Sequence, residues 1–344
     1  MRINKLSRLL LVFIITALIV SLVSCKNGKG ETNDTTAQSF AERTEYTVTF
    51  VSNGGSSVAP ITVYKNSSLT PFTPPTRDDY VFVGWTCEGR EWVFGEGGDL
   101  VKSDITLYAN WAKLNSIFQY EERDGEVTLT KLINATDYKS LTIPETFKGM
   151  AVTGIGDEVF KNFSVNLDDN LDKGLRSISF PKSVTKIGTS AFEDCTNLVI
   201  SFDGALSEIG ENAFYGCNTL TEIKLSDKLQ KIPFRAFSEC VAISYIDIPD
   251  GVKVIDEDAF AGCSSLSAVV LPATLSSIEN AAFDGCSSLK TIFFAGSEEQ
   301  FDKISVATLN DAILDATIYF YSEQKPAESG AFWHYDQNNS PVIW

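Results

Sequence analysis

Apolar residues recur with a fixed period through the second half of the chain. Phenylalanine returns every 22 or 23 residues, and a cysteine follows each phenylalanine by three positions. Between successive Phe–Cys pairs, apolar and polar residues alternate, as in Leu266-x-x-Val269-x-Leu271. The alternation predicts one short strand per repeat, and the Phe–Cys segment predicts a short helical turn. The marker residues are Phe192, Phe214, Phe237, Phe260 and Phe283 with Cys195, Cys217, Cys240, Cys263 and Cys286.

This period indicates a leucine-rich solenoid, because one such unit cannot bury its apolar edge alone and must stack on its neighbours. Phe160 marks an earlier coil, and the longer interval before Phe192 contains a polar, acidic loop at residues 164–174. The repeat lapses after residue 295. The other expected elements are an N-terminal cap and first coil at 118–159, a helix at 301–304, a strand at 316–321 and a C-terminal cap ending at 333–344.

The repeat unit resembles the BspA-type leucine-rich repeat family of bacterial and protist surface proteins. The matching pattern is Ile-x-x-x-Ala-Phe-x-x-Cys-x-x-Leu-x-x-Ile-x-Leu-Pro, most complete from Ile255 to Pro272. The similarity extends over residues 117–300. It implies a non-enzymatic adhesin or protein-binding surface protein, and it does not identify a ligand.

A different pattern precedes the repeats. Residues 47–51, 80–85 and 104–111 alternate as strands do, and the Asn53-Gly54-Gly55 turn follows the first of them. With the later aromatic and glycine positions, this segment resembles the Listeria–Bacteroides repeat, the B-repeat of internalin-type surface proteins. The resemblance implies a small β-grasp-like domain that serves as a spacer or interaction unit. Its aromatic residues are expected to form the core, with a ligand platform as the alternative.

The N-terminus has the features of an export signal. A basic segment ending at Arg8 precedes an apolar run that is too short for a membrane span, and Leu22-Val23-Ser24-Cys25 follows. These four residues resemble the lipobox of bacterial lipoproteins, which implies that Cys25 is acylated and anchors the protein to a membrane. The alternative is an ordinary signal peptide with an incidental cysteine. The polar residues after Cys25 are expected to form a flexible tether.

Charge and histidine content exclude several classes of function. The net charge of −17 repels phosphate backbones, so nucleic acid is not an expected partner. The single histidine, His334, excludes a two-histidine zinc site and is interpreted as a packed residue of the C-terminal cap. Asp168, Asn170 and Asp172 imitate half of a calcium loop without its glycine and glutamate, which favours a solvated acidic loop. No metal or cofactor is therefore expected.

The five periodic cysteines require a separate interpretation. No pair has the two-to-four-residue spacing of zinc-ribbon ligands, whereas the solenoid period places all five in one column. We expect buried, reduced thiols that pack under the turns. Disulfides and metal ligation remain the alternatives, and Cys87 is expected to be a lone thiol.

The outward positions of each predicted strand form a candidate ligand-binding face. Glu222, Lys224, Tyr245 and Asp247 provide mixed charge with one aromatic residue, and Val270 and Phe293 extend the row as an apolar stripe. Exposed apolar stripes usually require a cover. The alternatives are that residues 319–321 fold over the stripe as part of the cap, or that the row has no special role.

The sequence thus predicts a mixed, β-rich chain: a small β-grasp-like domain followed by a leucine-rich solenoid with short strands and short helical turns. The expected function is that of a non-enzymatic, lipid-anchored protein of the bacterial cell surface that binds a macromolecule, in adhesion or protein interaction. The alternative is an envelope structural or glycan-binding protein; a glycosidase stays open because any fold can bring two carboxylates together. The predicted segments are a leader at 1–24, a tether at 25–45, the β-grasp-like domain at 46–112, the solenoid at 113–300 and the cap at 301–344.

Overall fold

The computed structural model describes residues 44–134, 138–163, 175–327, 330–338 and 340–344. The predicted leader, Cys25 and nearly all of the tether lie outside these residues, as does the acidic loop with Asp168, Asn170 and Asp172. Within the described part of the chain, no helix is long and apolar enough to cross a membrane. Thr44–Trp344 forms one compact unit.

The first module is a small mixed sheet. Its first and last strands, β1 and β5, run parallel, while β2 and β3 flank them in antiparallel pairs. The three strands predicted from alternation are confirmed. Alternation buries Phe50, Trp85 and Leu107 on one face, but it directs Tyr108 outward, so the expectation that Tyr108 belongs to the core was wrong. The strands are β1 (Glu45–Val51), β2 (Ile61–Tyr64), β3 (Tyr80–Cys87), β4 (Arg90–Glu91) and β5 (Ile105–Lys113).

A short helix and a hairpin lead from this module into the solenoid. Leu114 and Ile117 on the helix are fully buried and belong to the solenoid core. The hairpin closes the N-terminal end of that core with Phe118 and Val127. The elements are α1 (Leu114–Ile117), β6 (Phe118–Arg123) and β7 (Glu126–Leu132).

The solenoid has two rows of short parallel strands, and most coils contribute one strand to each row. Neighbouring coils pair in parallel, as at Ile246, Val269 and Ile292. The predicted solenoid is confirmed. The first row contains β8 (Ser140–Thr142), β11 (Ser177–Phe180), β13 (Val199–Phe202), β16 (Tyr245–Asp247), β18 (Ala268–Leu271), β20 (Thr291–Phe294) and β22 (Thr317–Tyr321). The second row contains β10 (Met150–Ile155) with its partner β9 (Thr146–Phe147), then β12 (Lys186–Ile187), β14 (Glu208–Ile209), β15 (Lys231–Ile232), β17 (Val254–Ile255), β19 (Ser277–Ile278) and β21 (Ser305–Val306).

The two modules share a sheet. Phe82 of β3 pairs with Thr142 of β8, so the strand order β13-β11-β8-β3-β5-β1-β2 runs from the solenoid into the first module. Val81 also packs in the solenoid core. The first module is therefore continuous with the solenoid in both hydrogen bonding and apolar packing.

The phenylalanines and cysteines of the repeats form two columns inside the stack. Rings of successive coils are nearly parallel, with centroids 4.9–5.5 Å apart. Each cysteine is free and buried, and its Sγ donates to the carbonyl oxygen of a phenylalanine in the preceding coil at 3.0–3.2 Å. The predicted column of buried thiols is confirmed. The predicted helical turn takes the form of hydrogen-bonded turns, for example from Cys263 N to Phe260 O at 3.1 Å.

Both strand rows continue beyond residue 300, where the sequence pattern has lapsed. The predicted helix at 301–304 instead spans residues 298–301, because Ser297 and Gln300 form a capping box that fixes its start. The predicted strand at 316–321 is confirmed as β22. The closing elements are α2 (Glu298–Phe301), α3 (Asp311–Leu314), β23 (Phe332–Tyr335) and β24 (Pro341–Ile343).

Candidate binding surface

The outer face of the first strand row is open in its middle. Glu222 and Lys224 are exposed, Tyr245 is 38% exposed, and Asp247 is half-buried. Glu222 and Lys224 lie in a coil that has no assigned strand in this row; there, Leu225 forms an isolated bridge with Leu206 of the preceding coil. The first row is consequently divided between two sheets at this coil.

The structure places Tyr245 and Asp247 beside the apolar stripe. Register brings Asp247 next to Val270, and Val270 next to Phe293. The structure therefore brings four of the six predicted face residues into one row, while Glu222 and Lys224 lie one coil earlier. Their Nζ and Oε1 atoms are 3.8 Å apart, a distance at which an exposed pair contributes little stability.

The prediction that Val270 and Phe293 are exposed was wrong. Val270 is 1% and Phe293 8% exposed, because the indole ring of Trp333 from the C-terminal strand β23 packs against them. The ring centroids of Phe293 and Trp333 are 5.4 Å apart, and Trp333 Nε1 donates to Phe294 O at 2.9 Å. The cap does cover the stripe, as the alternative required: Trp333 lies against it, and Tyr319 of the expected segment packs beside Phe293 with ring centroids 5.9 Å apart.

Burial changes the protonation equilibria at the edge of this cover. Desolvation, assisted by the neighbouring charge of Asp250, raises the pKa of Asp247 to about 6. The pKa of Tyr245 is also raised, mainly by burial and then by Asp247. Tyr335 of β23 has a raised pKa for the same first reason. The carboxyl group of Asp247 therefore gains a proton under mildly acidic conditions.

The remaining sequence candidates have structural roles. The His334 ring stacks on Trp344 with centroids 3.7 Å apart, in agreement with its interpretation as a packed cap residue. Within the described residues, no group of three or more metal-ligating side chains converges.

A cavity that no sequence pattern predicted lies beside the same face at its N-terminal end. Its walls come from the first module and from strands β8 and β11, including Trp85, Trp92 and Ser177. Residues so far apart in the chain carry no common periodicity. The pairing of β3 with β8 helps to bring them together.

Two family models match the chain. The BspA type leucine rich repeat region matches residues 131–199 and 199–312 in six copies. The Listeria-Bacteroides repeat domain matches residues 46–110. Together they cover both modules seen in the structure.

Similar proteins include two from Evansella cellulosilytica. A predicted membrane protein is 34% identical over 96 residues, which are 26% of this chain and 14% of that protein. A predicted Gly-rich membrane protein is 41% identical over 73 residues, 20% of this chain and 8% of that protein. The chain thus matches only a small part of the length of these curated relatives.

Solved structures with the same kind of repeat are also similar. The leucine rich repeat protein of T. pallidum is 23% identical, with 60% of this chain and 95% of that chain covered and a TM-score of 0.47. A leucine rich cell surface protein from Faecalibacterium prausnitzii A2-165 is 28% identical, with 66% and 59% covered and a TM-score of 0.49. From the repeat match over more than half of its length, the chain belongs to the BspA-type leucine-rich repeat family, with a Listeria–Bacteroides repeat preceding the solenoid.

Proposed function

We propose that this protein is a non-enzymatic adhesin or interaction protein of the bacterial cell surface, which binds a macromolecule on the open part of its strand face. The observation that carries the proposal is the group of side chains on the open part of this face, with Tyr245 and Asp247 on β16 and the charged pair Glu222 and Lys224 one coil earlier. Membership of the BspA-type family supports it. We further propose that acylated Cys25 anchors the protein to a membrane and that the leader, tether and modules keep the boundaries expected from the sequence.

Tyr245 is the expected centre of the binding surface. Protein interfaces concentrate their binding energy in a few aromatic or arginine side chains that are ringed by polar groups. Tyr245 is 38% exposed, and the charged pair Glu222 and Lys224 lies one coil earlier. Asp247, two positions further along the same strand, adjoins the buried stripe. A ligand surface with both an apolar and a positively charged part would complement this group.

Binding of the soluble unit to immobilised extracellular-matrix proteins tests this proposal. Tyr245→Ser in a fragment that begins at Thr44 should weaken binding by about tenfold or more, since loss of a central aromatic anchor costs about 2 kcal/mol. Tyr108→Ser is the matched control, because Tyr108 is 45% exposed on the first module. Equal binding by both variants would contradict the assignment of this face.

The membrane anchor is tested separately in the full-length protein. Replacing Cys25 with Ala removes the thiol that the proposed lipidation requires, and with it the acyl chains, whose burial contributes about 0.8 kcal/mol per CH₂ group. The variant should move from the detergent phase to the aqueous phase on phase separation. Cys87→Ala, at a half-buried thiol in the first module, is the control and should stay with the membranes. Detergent partitioning of the Cys25 variant would mean that another feature holds the protein there.

A further inference from the structure

A cavity of about 300 Å³ lies where the first module meets the first coils. One wall consists of aromatic side chains from the first module, among them Phe72, Trp85 and Trp92. The rest of the lining includes β8 and β11, with Ser140 and Ser177. This volume is at the lower end of the range for small-molecule sites, which combine apolar walls with a few polar groups.

We propose that this cavity binds an uncharged sugar ring of a glycan. The site is separate from the open face at Tyr245, and the proposal does not depend on that face binding a ligand. The lining combines aromatic rings with hydroxyl groups. A sugar likewise presents an apolar surface and a surface that forms hydrogen bonds. The C–H groups of a sugar ring are apolar, and its hydroxyl groups are both donors and acceptors.

The aromatic wall is held firmly in place. Trp85 and Trp92 are more than nine-tenths buried, and Phe72 packs edge-on against Phe94 with centroids 5.7 Å apart. The electron-rich faces of aromatic rings attract the weakly positive C–H groups of a ligand. Because these side chains are already fixed by the core of the first module, binding would cost little side-chain entropy.

The hydroxyl wall is a regular array. Ser140 pairs in register with Ser177, and Thr142 with Ser179, on the adjacent parallel strands β8 and β11. Residues two apart on a strand are about 6.6 Å apart, and neighbouring strands are about 4.8 Å apart. The four side chains therefore form a rectangle comparable in size to a six-membered sugar ring. Each hydroxyl can donate one hydrogen bond and accept others.

One side chain that lines the cavity has a polar atom without a partner within the described residues. The indole nitrogen of Trp92, a side chain that is 7% exposed, donates to no acceptor in that part of the chain. Buried donors are nearly always paired, and an unpaired one calls for an acceptor such as an ordered water.

Charge favours a neutral ligand over an acidic one. The cavity wall contains one carboxylate, Glu91, and its Oε2 lies 2.9 Å from Nζ of Lys139. This pairing leaves the wall without a strong net charge, while the chain as a whole carries −17. An acidic sugar would thus be repelled without gaining a dedicated cation.

The sheet geometry argues against a peptide in this position. Extended peptides bind sheets by adding a strand to a free edge. β8 has neighbours on both sides, β11 on one and β3 on the other, through Thr142 and Phe82. A ligand here must use side-chain hydroxyl groups, which suits a sugar better than a peptide backbone.

Calorimetric titration of the unit beginning at Thr44 tests the proposal. The ligands are maltotriose, cellotriose and chitotriose as uncharged sugars, sialyllactose as an acidic one and a proline-rich decapeptide as the competing class. We expect at least one uncharged trisaccharide to bind with a Kd of about 1 mM or tighter, within reach of weak, small-ligand sites. The acidic sugar and the peptide should not bind.

Three variants locate the binding site. Ser177→Trp places a large side chain in the cavity and should abolish binding; Ser140→Ala with Ser177→Ala removes two hydroxyl groups without adding bulk and should weaken it about tenfold. Thr317→Trp is the control, because Thr317 is exposed and occupies the same strand position at the far end of the row. Tyr245→Ser, which tests the open face, should leave sugar binding unchanged. Absence of binding by all three uncharged sugars, undiminished binding in Ser177→Trp, or binding of the peptide in their place would overturn the proposal.

Discussion

At the scale of single residues, the phenylalanine and cysteine columns explain why the repeat signature is so regular. Each ring fills the interior of its coil, and each thiol satisfies a carbonyl group of the preceding coil. A larger polar side chain would leave an unpaired group in the core, at a cost of about 1–3 kcal/mol. The period could therefore be recognised from the sequence because packing and hydrogen bonding both demand the same residue at the same place.

Burial predicts the reactivity of the thiols. Desolvation raises the pKa of Cys195 and of Cys286 to about 12, and it is also the main cause of the smaller rise at the partly exposed Cys87. Alkylation requires a cysteine that is ionised to the thiolate and that the reagent can reach. We therefore expect only Cys87 to react with iodoacetamide in the native unit that begins at Thr44. Mass spectrometry after unfolding should find that all six cysteines react. A disulfide between Cys240 and Cys263 would contradict this assignment.

Asp247 predicts a specific dependence of stability on pH. Its pKa of about 6 in the folded protein is above the ordinary value of 3.8, so the folded state favours the protonated carboxyl group. The stabilising effect is complete below about pH 4 and is lost as the pH rises through about 6. Asp247→Asn should match the wild type at pH 4 and be more stable at pH 8, by about 1–2 kcal/mol.

Urea unfolding of both proteins at the two pH values measures this difference. The matched control is Asp302→Asn, at an exposed carboxylate of α2. An Asp247→Asn variant that is no more stable than the wild type at pH 8 would mean that the burial of Asp247 carries no electrostatic cost.

At the scale of elements, the last coil shows how the stack ends. In the earlier coils, the backbone N–H of the phenylalanine donates a hydrogen bond to a carbonyl oxygen of the next coil. An example is the bond from Phe260 N to Ala282 O at 2.8 Å. At the end of the stack the side chain of Asn310 takes this role: Oδ1 accepts from Phe283 N at 3.0 Å, and Nδ2 donates to Glu279 O at 2.8 Å. Asn310 is 1% exposed. One amide side chain thus makes the contact that the backbone of the next coil makes in the earlier repeats.

Asn310→Ala should destabilise the protein by about 2–3 kcal/mol, because it leaves several buried backbone groups without partners. Thermal unfolding followed by circular dichroism measures the loss, and hydrogen exchange should locate it in the coil of Phe283. Asn218→Ala, at an exposed asparagine of an earlier turn, is the control. Equal melting of the two variants would exclude this role for Asn310.

The elements also show where sequence patterns stop being informative. Periodicity identified the coils, but the coil after Phe283 has Asn310 in place of the usual pattern and its continuation was missed. Val270 and Phe293 looked exposed because strand alternation reports only which side of a sheet a residue faces. They are covered by Trp333, which follows Phe293 by 40 residues in the chain and lies outside the repeats. Such a contact depends on the path of the tail, which alternation does not encode.

At the scale of the whole molecule, the two modules behave as one structure. The family resemblances identified each module separately and implied a spacer or interaction unit before a solenoid. The pairing of Phe82 with Thr142 and the burial of Leu114 in the solenoid core join them. The cavity proposed to bind sugar exists only because of this junction, so the loss of either module would remove the site.

Cooperative unfolding of both modules follows from the shared core. Leu114 is fully buried at the junction, so Leu114→Ala should cost about 2–5 kcal/mol. Because the core it weakens is common to both modules, tryptophan fluorescence, to which three of the five tryptophans contribute from the first module, should shift together with the circular dichroism of the strands in urea. Leu309→Ala, at a side chain that is 57% exposed, should leave both transitions in place. Two transitions at different urea concentrations, with only one moved by Leu114→Ala, would show that the modules fold independently despite their common sheet.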